Sequence, residues 1–346
     1  MPSSNNQSIR PSLRWPHLRG RWNPLWLYPV LVVLLYILWS GYLTLADKWF
    51  LFAQYWPASV TMVLGSFVAG ATAGGGGAVA FPVFTKVLQI TSADARTFSL
   101  MIQAFGMGMA SVFILSRRIP ILPGVVLFVS LGGVVGHVLG TFWLIIPGSY
   151  PKILFTFIAT AFGIVLYIST YVIKWRPLFR MPEWNLHRKW AFLAVGIFGG
   201  IFSAQVGSGI DMLTFMVLTL AFGIDEKVST PTTVIIMAIN SWVGFFLHGV
   251  VIRDIGEMWN YWLVAVQIVI IGAPLGAYVV SRIHRHTVIN FLMVLIALEL
   301  VTTLVLIPIR TWTEIGVTTA ALSVFGILFW ILLHYRHEHL PADELR

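Results

Sequence analysis

Long apolar runs alternate with short polar connections along this chain. Runs of membrane-crossing length occupy about 25–45, 97–116, 120–146, 151–173, 229–250, 259–280, 286–307 and 312–334. A helix of about 20 apolar residues crosses a hydrocarbon core, so each run predicts one crossing, about eight in all. Two further apolar stretches, 58–90 and 190–224, are interrupted. The first reads GSFVAGATAGGGGAVAFPVF, with Gly74, Gly75, Gly76 and Gly77 in succession. Glycine is less favourable than alanine in a helix by about 1 kcal/mol, and lipid offers no partner to the backbone groups a break sets free. The flanks 58–73 and 78–90 hold about 16 and 13 residues. At about 1.5 Å per residue the second reaches only two-thirds of the way across. A re-entrant hairpin with its tip inside the membrane is the expected form. Two short crossings would return the chain to the same face and stand as the alternative.

The interruption recurs. An offset of 133 lays ATAGGGGAVAF and ADARTFS over SAQVGSGIDMLTF and DEKVSTPT, pairing Gly74 with Gly207, Gly76 with Gly209 and Thr97 with Thr230. At an offset of 136, Gly136, Leu139 and Gly140 meet Gly272, Leu275 and Gly276. The chain thus divides into an N-terminal segment with a first helix (1–57), repeat 1 (58–173), a linker (174–189), repeat 2 (190–307), and a final helix with a tail (308–346).

Charge orients this arrangement. With the N-terminus inside, 16 of the 22 Lys and Arg residues fall on the cytoplasmic side, and Lys48, Lys86, Arg96, Lys152, Arg253 and Arg310 fall outside. That asymmetry follows the positive-inside rule, and it accounts for a net charge of +9 without invoking nucleic acid. The first hairpin then opens outward and the second inward. Inverted repeats that each carry a broken segment are a signature of secondary transporters. Both termini are expected in the cytoplasm, in a cell (inner) membrane, and the first helix is read as uncleaved rather than as a signal peptide. Hydrophobic residues make up 58% and charged residues 10%, against about 25% charged in soluble domains. The fold class is an all-α polytopic membrane protein: two inverted repeats, about eight full crossings and two broken hairpins. Cysteine is absent, which excludes disulfides, thiolate nucleophiles and Cys-ligated metals.

No phosphate loop, metalloprotease or nucleophile-elbow motif is present, so no cofactor, metal site or enzyme activity is expected. His334, His337 and His339 read as interfacial charge. The glycines admit two readings, close helix packing alone, or packing plus a tip whose N–H groups attract an anion. On the second reading the substrate contacts are Gly74, Gly75, Gly76, Gly77, Gly207, Ser208 and Gly209. Hydroxyl and amide donors following each tip complete the set: Thr97, Ser99 and Gln103, then Thr230, Thr232 and Asn240. No Arg or Lys falls in a predicted core, so neutral dipoles would hold the anion. Asp211, Glu299 and His137 are the ionisable residues at membrane depth, where such groups are functional candidates by default. They are the coupling candidates here, with local capping or packing as the competing roles for Asp211 and His137. Glu299 has a helix-end base as its competing partner. His248 reads as interfacial.

These motifs resemble the TauE/SafE family of sulfite exporters and sulfonate permeases. In repeat 1 the resemblance rests on Gly70, Gly74, Gly76, Gly77, Pro82, Thr97 and Ser99. Repeat 2 departs from the pattern at Ser208, Ile210, Phe215 and Thr232. The resemblance spans about 58–307 and implies transport of a small sulfur-containing anion such as sulfite, thiosulfate or an organosulfonate. An uncoupled anion pore is the alternative, and an intramembrane enzyme or assembly factor the third reading. Clustering of Asp211, Glu299 and His137 would favour the third.

Overall fold

The computed structural model describes residues 24–306, except 145, 147–149, 173–177, 182–183, 281 and 283–284, together with isolated positions between 316 and 331. The basic N-terminal segment, part of the 174–189 linker, and most of the last predicted crossing lie outside the described residues, as does the tail with His334, His337 and His339. Among the described residues the chain is all-α, without a strand. Its helices are α1 (Leu27–Leu45), α2 (Leu51–Ala71), α3 (Gly77–Pro82), α4 (Ser92–Ser116), α5 (Pro123–Phe142) and α6 (Tyr150–Tyr167). They continue with α7 (Leu186–Val206), α8 (Ile210–Met216), α9 (Glu226–Phe246), α10 (Met258–Val280) and α11 (Arg285–Leu306).

Local chemistry sets several of these starts. Thr91 accepts the Asp94 N–H at 3.2 Å ahead of α4, Asn185 accepts that of Arg188 at 3.0 Å ahead of α7, and Asp225 accepts that of Lys227 at 2.7 Å ahead of α9. Each occupies a donor the helix itself cannot satisfy. Pro57 removes an N–H inside α2, and the helix bends at Tyr55. Wider π turns extend α3 through Val83–Val87 and α8 through Val217–Ala221.

Among the described residues, six helices are long and apolar enough to cross a membrane: α1, α4, α5, α7, α9 with its extension to Ile252, and α10. The chain is an integral membrane protein. Five of the six lie on predicted crossings. The sixth, α7, was expected as one arm of a hairpin, but the Asn185 cap starts it early and its apolar run continues unbroken to Val206. Two other predicted crossings appear as α6 and α11, whose apolar stretches Tyr150–Val165 and Ile289–Val305 are shorter.

Side-chain register fixes the helix directions. α2 runs parallel to α10, since Tyr55 donates to Glu257, Ser59 to the Val264 carbonyl, and Gly70 lies on the Ala273 carbonyl. α4 is also parallel to α10, with Gly106 on Val269 and Phe113 beside Tyr278. α3 and its π turn therefore carry the chain back to the side where α2 began. Likewise α5 runs parallel to α7, with Gly132, Gly136 and Gly140 on the carbonyls of Leu193, Ile197 and Ile201. It also runs parallel to α9, with Gly133 beside Asn240 and His137 beside Gly244, so α8 turns the chain back as well. Each return arm adds 5 π-turn residues to 6 or 7 helical ones. At about 1.5 Å per residue that spans about half of the ~30 Å core.

Glycines let the α5–α7 pair approach backbone to backbone, as small residues do between membrane helices. Gly136→Val should force those helices apart and lower the melting temperature of the purified protein, at a cost of about 1–3 kcal/mol. Gly41→Val, in α1 with nothing within 4 Å of a new Cβ, should leave it unchanged in the same thermal-shift measurement.

Candidate functional site: two buried breaks in contact

α2 stops at Ala71 because Thr72 turns extended (φ −146°, ψ 162°). The Thr72 hydroxyl accepts the Gly74 N–H at 3.1 Å and donates to Val68 O at 2.9 Å. Gly75 follows at φ +65°, a conformation that glycine adopts without steric penalty. α7 ends differently. Gly207 is left-handed at φ +79° and donates to Ser203 O at 2.7 Å, a common helix stop. Ser203 Oγ takes the Ile210 N–H at 3.1 Å, and Asp211 Oδ1 takes the Gly209 and Met212 N–H groups, each at 3.0 Å.

The two breaks touch. Ser208 Oγ donates to Gly74 O at 3.2 Å, and Gln103 of α4 donates through Nε2 to Gly207 O at 2.6 Å and to Ser99 O at 3.0 Å. A Cβ on Gly77 would stand 2.8 Å from Ser208 Cβ, and one on Gly207 would stand 2.6 Å from Ser99 Cβ. One on Gly75 would stand 2.5 Å from Gln103 Oε1 and 2.7 Å from Asp211 Oδ2. Gly74, Gly75, Gly77, Ser99, Gln103, Gly207, Ser208 and Asp211 therefore form one cluster, and all of them are buried. Gly209 lies within it as the N–H partner of Asp211. Gly76 sits beside the Gln103 stem at φ −67°. Ser99 Oγ, Gln103 Oε1 and Asp211 Oδ2 have no hydrogen-bond partner among the described residues.

Other candidates fall elsewhere. Thr97 bonds back to Ala93 O at 3.0 Å, the usual habit of helical threonine. Thr232 bonds to Val228 O at 2.6 Å and accepts the Leu122 N–H at 3.1 Å, anchoring the α4–α5 connection. Thr230 is half-buried, and its carbonyl accepts the Thr233 hydroxyl at 2.9 Å. Asn240 adjoins the cluster through Gly133, which faces both Asn240 Oδ1 and Ile210. Its amide donates to His137 Nδ1 at 3.1 Å. Further along the same helices, His248 meets Asp254 at 2.8 Å, and Arg96 reaches Ala204 O at 3.4 Å with Asp94 and Asp254 as neighbouring charges. A buried polar lane thus leads from the breaks along α4, α5 and α9 toward Asp254.

The sequence reading missed a buried cation. Lys86, at the end of the first return arm, is 9% exposed and sits 2.7 Å from Glu299 of α11, itself 7% exposed. Lys86 also donates to Thr303 at 2.7 Å and Thr302 at 3.1 Å, and Glu299 accepts from Thr156 at 2.8 Å. Only the folded arm, shielded by α6 and α11, brings the two together. Glu299 is thus the partner of a base. Gly74, Met212, Phe155, Phe162 and Glu299 line one small, mostly apolar cavity between the first break and α11.

The family model of the sulfite exporter TauE/SafE matches residues 58–306, more than two-thirds of the chain and both breaks. The chain belongs to the TauE/SafE family. That match runs from within α2 to the end of α11 and leaves α1 outside. No curated protein matches the chain, and no solved structure does. The cluster at the breaks is built from both halves of the matched region, whereas Lys86 and Glu299 form a separate charged centre. Lys86→Met should leave the Glu299 carboxylate buried without its cation and destabilise the protein by about 3–5 kcal/mol. The Lys86→Met, Glu299→Met double variant should recover most of that loss in a thermal-shift assay.

Proposed function

We propose that this TauE/SafE protein is a secondary transporter that moves a small sulfur-containing anion across the cell membrane by alternating access. Sulfite, thiosulfate or an organosulfonate fits the chemistry. The observation that carries the proposal is the contact between the two breaks, Ser208 on Gly74 and Gln103 on Gly207. Neutral donors gather here: the Ser208 hydroxyl, the Gln103 amide and the Ser99 hydroxyl, the last unpartnered among the described residues. Such neutral donors suit an oxyanion and release it readily, because no fixed positive charge holds it. Arg96, with Nε unpartnered among the described residues, lies along the lane and favours anion entry.

Alternating access is supported by a relation between the halves. α2 packs on α10 and α5 on α7, so the first helix of each half lies along the fourth helix of the other, and both pairs are parallel. α4 packs on α9 and α6 on α11, each against its counterpart. This is the exchange expected of inverted repeats, and it supports a layout of eight crossings and two hairpins with cytoplasmic termini. Burial of both breaks favours a gated carrier over an open pore.

In proteoliposomes, radiolabelled sulfite or thiosulfate should accumulate saturably along an imposed gradient. Gly75→Ala should lower the rate more than tenfold at unchanged expression, and wild-type transport by that variant would sink the assignment of the site. The absence of cysteine gives a clean labelling background. Cysteine at exposed Arg118 should react with an impermeant maleimide only from the cytoplasmic side, and cysteine at exposed Arg253 only from outside.

A further inference from the structure

Asp211 is a carboxyl group with 0% exposure, and its two oxygens have opposite environments. Oδ1 accepts the N–H groups of Gly209 and Met212 at 3.0 Å and faces the Ser208 hydroxyl at 3.4 Å. Oδ2 has no partner and lies 2.7 Å from the place a Gly75 Cβ would take, while Gln103 Oε1, also unpartnered, lies 2.5 Å from that same point. The two free oxygens are therefore at most 5.2 Å apart, the sum of those two distances. The orientation of the Gln103 amide is fixed, because its nitrogen points at two acceptors, Ser99 O and Gly207 O. Turning the amide over would set oxygen against both carbonyls. Two buried acceptors thus face one position with no donor between them, an arrangement left unsatisfied unless something supplies a hydrogen or a positive charge.

We infer that Asp211 Oδ2 and Gln103 Oε1 share a proton, and that this proton is the ion coupled to anion movement. The inference rests on the transport reading above and names its coupling ion. A metal cation is the poorer occupant. Two free oxygens and one hydroxyl fall short of the about six oxygens that hard cations gather. Among the described residues no salt bridge reaches the carboxylate either. The interactions felt by Asp211 come from Gly209, Met212, its own N–H and Ser208. Of the charged groups on neighbouring elements, Arg96 of α4 interacts with Asp94 and Asp254, and His137 of α5 with His248 and Arg96. Lys86, beyond α3, interacts with Glu299 and Lys152.

The shared proton has two consequences. Neutral Asp211 can donate to Gln103, which already holds Gly207, so the proton fastens the second break onto α4. It also removes the one negative charge at the place where an anion must sit, so the anion and the proton arrive together. When the proton leaves, the carboxylate repels the anion and faces the Gln103 oxygen, and both contacts loosen. No bond other than the O–H bond is made or broken.

Thiosulfate is the probe of choice, since it is fully ionised near neutral pH and carries no proton of its own. In proteoliposomes holding a trapped pH dye, an inward thiosulfate gradient should acidify the lumen of wild-type vesicles, with about one proton per anion. Thiosulfate movement without proton movement, or with a sodium requirement instead, would overturn the inference while leaving the transport reading intact. Absence of any anion movement would count against the transport reading alone, because a second measurement does not depend on transport. Infrared difference spectra of wild type against Asp211→Asn at neutral pH should show the C=O stretch of a protonated carboxyl in the wild type only. Gln103→Leu should shift that band upward by removing its acceptor, which keeps the test available if the Asp211 variant folds poorly. An identical carboxyl region in wild type and Asp211→Asn would refute the shared proton.

Discussion

Backbone that leaves the helix inside a membrane must find partners within the protein, because lipid supplies none and each orphaned group costs several kcal/mol. The organisation of this chain follows from meeting that demand twice. Thr72 turns its hydroxyl to the Gly74 N–H, Ser203 turns its hydroxyl to that of Ile210, and Asp211 turns a carboxylate oxygen to those of Gly209 and Met212. What each break cannot settle locally comes from outside it. Gly74 O receives the Ser208 hydroxyl of the other break, and Gly207 O receives the Gln103 amide. Two defects that would be untenable apart are tolerable in contact. Their burial in turn requires the close glycine-lined approach of α2 to α10 and of α5 to α7, which walls the short arms from lipid.

The two buried acids show how differently a protein can treat the same functional group. Glu299 has Lys86 and two threonine hydroxyls around it, and the pair is electrically closed. Among the described residues Asp211 has hydrogen bonds but no ion pair, and its second oxygen is open. A buried charge is tolerated when paired, and otherwise tends toward its neutral form. The first arrangement is a fastening. The second can change state, and it sits where a substrate anion would feel the change.

Much of this was legible in the sequence, for reasons that can be named. Crossing helices announce themselves through apolar runs, and the breaks through glycines that no membrane helix retains without cause. Gly74 and Gly207 fall opposite each other at an offset of 133, and the two breaks they mark touch in the fold. The early start of α7 was harder to see, since it depends on one cap at Asn185. Contacts across the fold were illegible. Lys86 and Glu299 are 213 residues apart, and nothing near either one signals the other. Gln103 and Asp211 were both candidates, yet their facing oxygens depend on how α4 passes between the breaks. Thr97 and Thr232 matched the expected residue types, but Thr97 bonds back to its own helix and Thr232 divides its hydroxyl between its own helix and the Leu122 N–H. Within the tetraglycine run the sequence treats all four alike, whereas the fold demands a left-handed residue only at Gly75.

The Lys86 clamp reaches beyond its own stability. Lys86 lies at the foot of the first return arm and ties that foot to Glu299, Thr302 and Thr303 on α11, while Thr156 ties α6 to the same carboxylate. α3, α6 and α11 are thereby joined at one end into a single mechanical unit. A lever held at its base can swing only at its tip, and the tip of this one is the break itself.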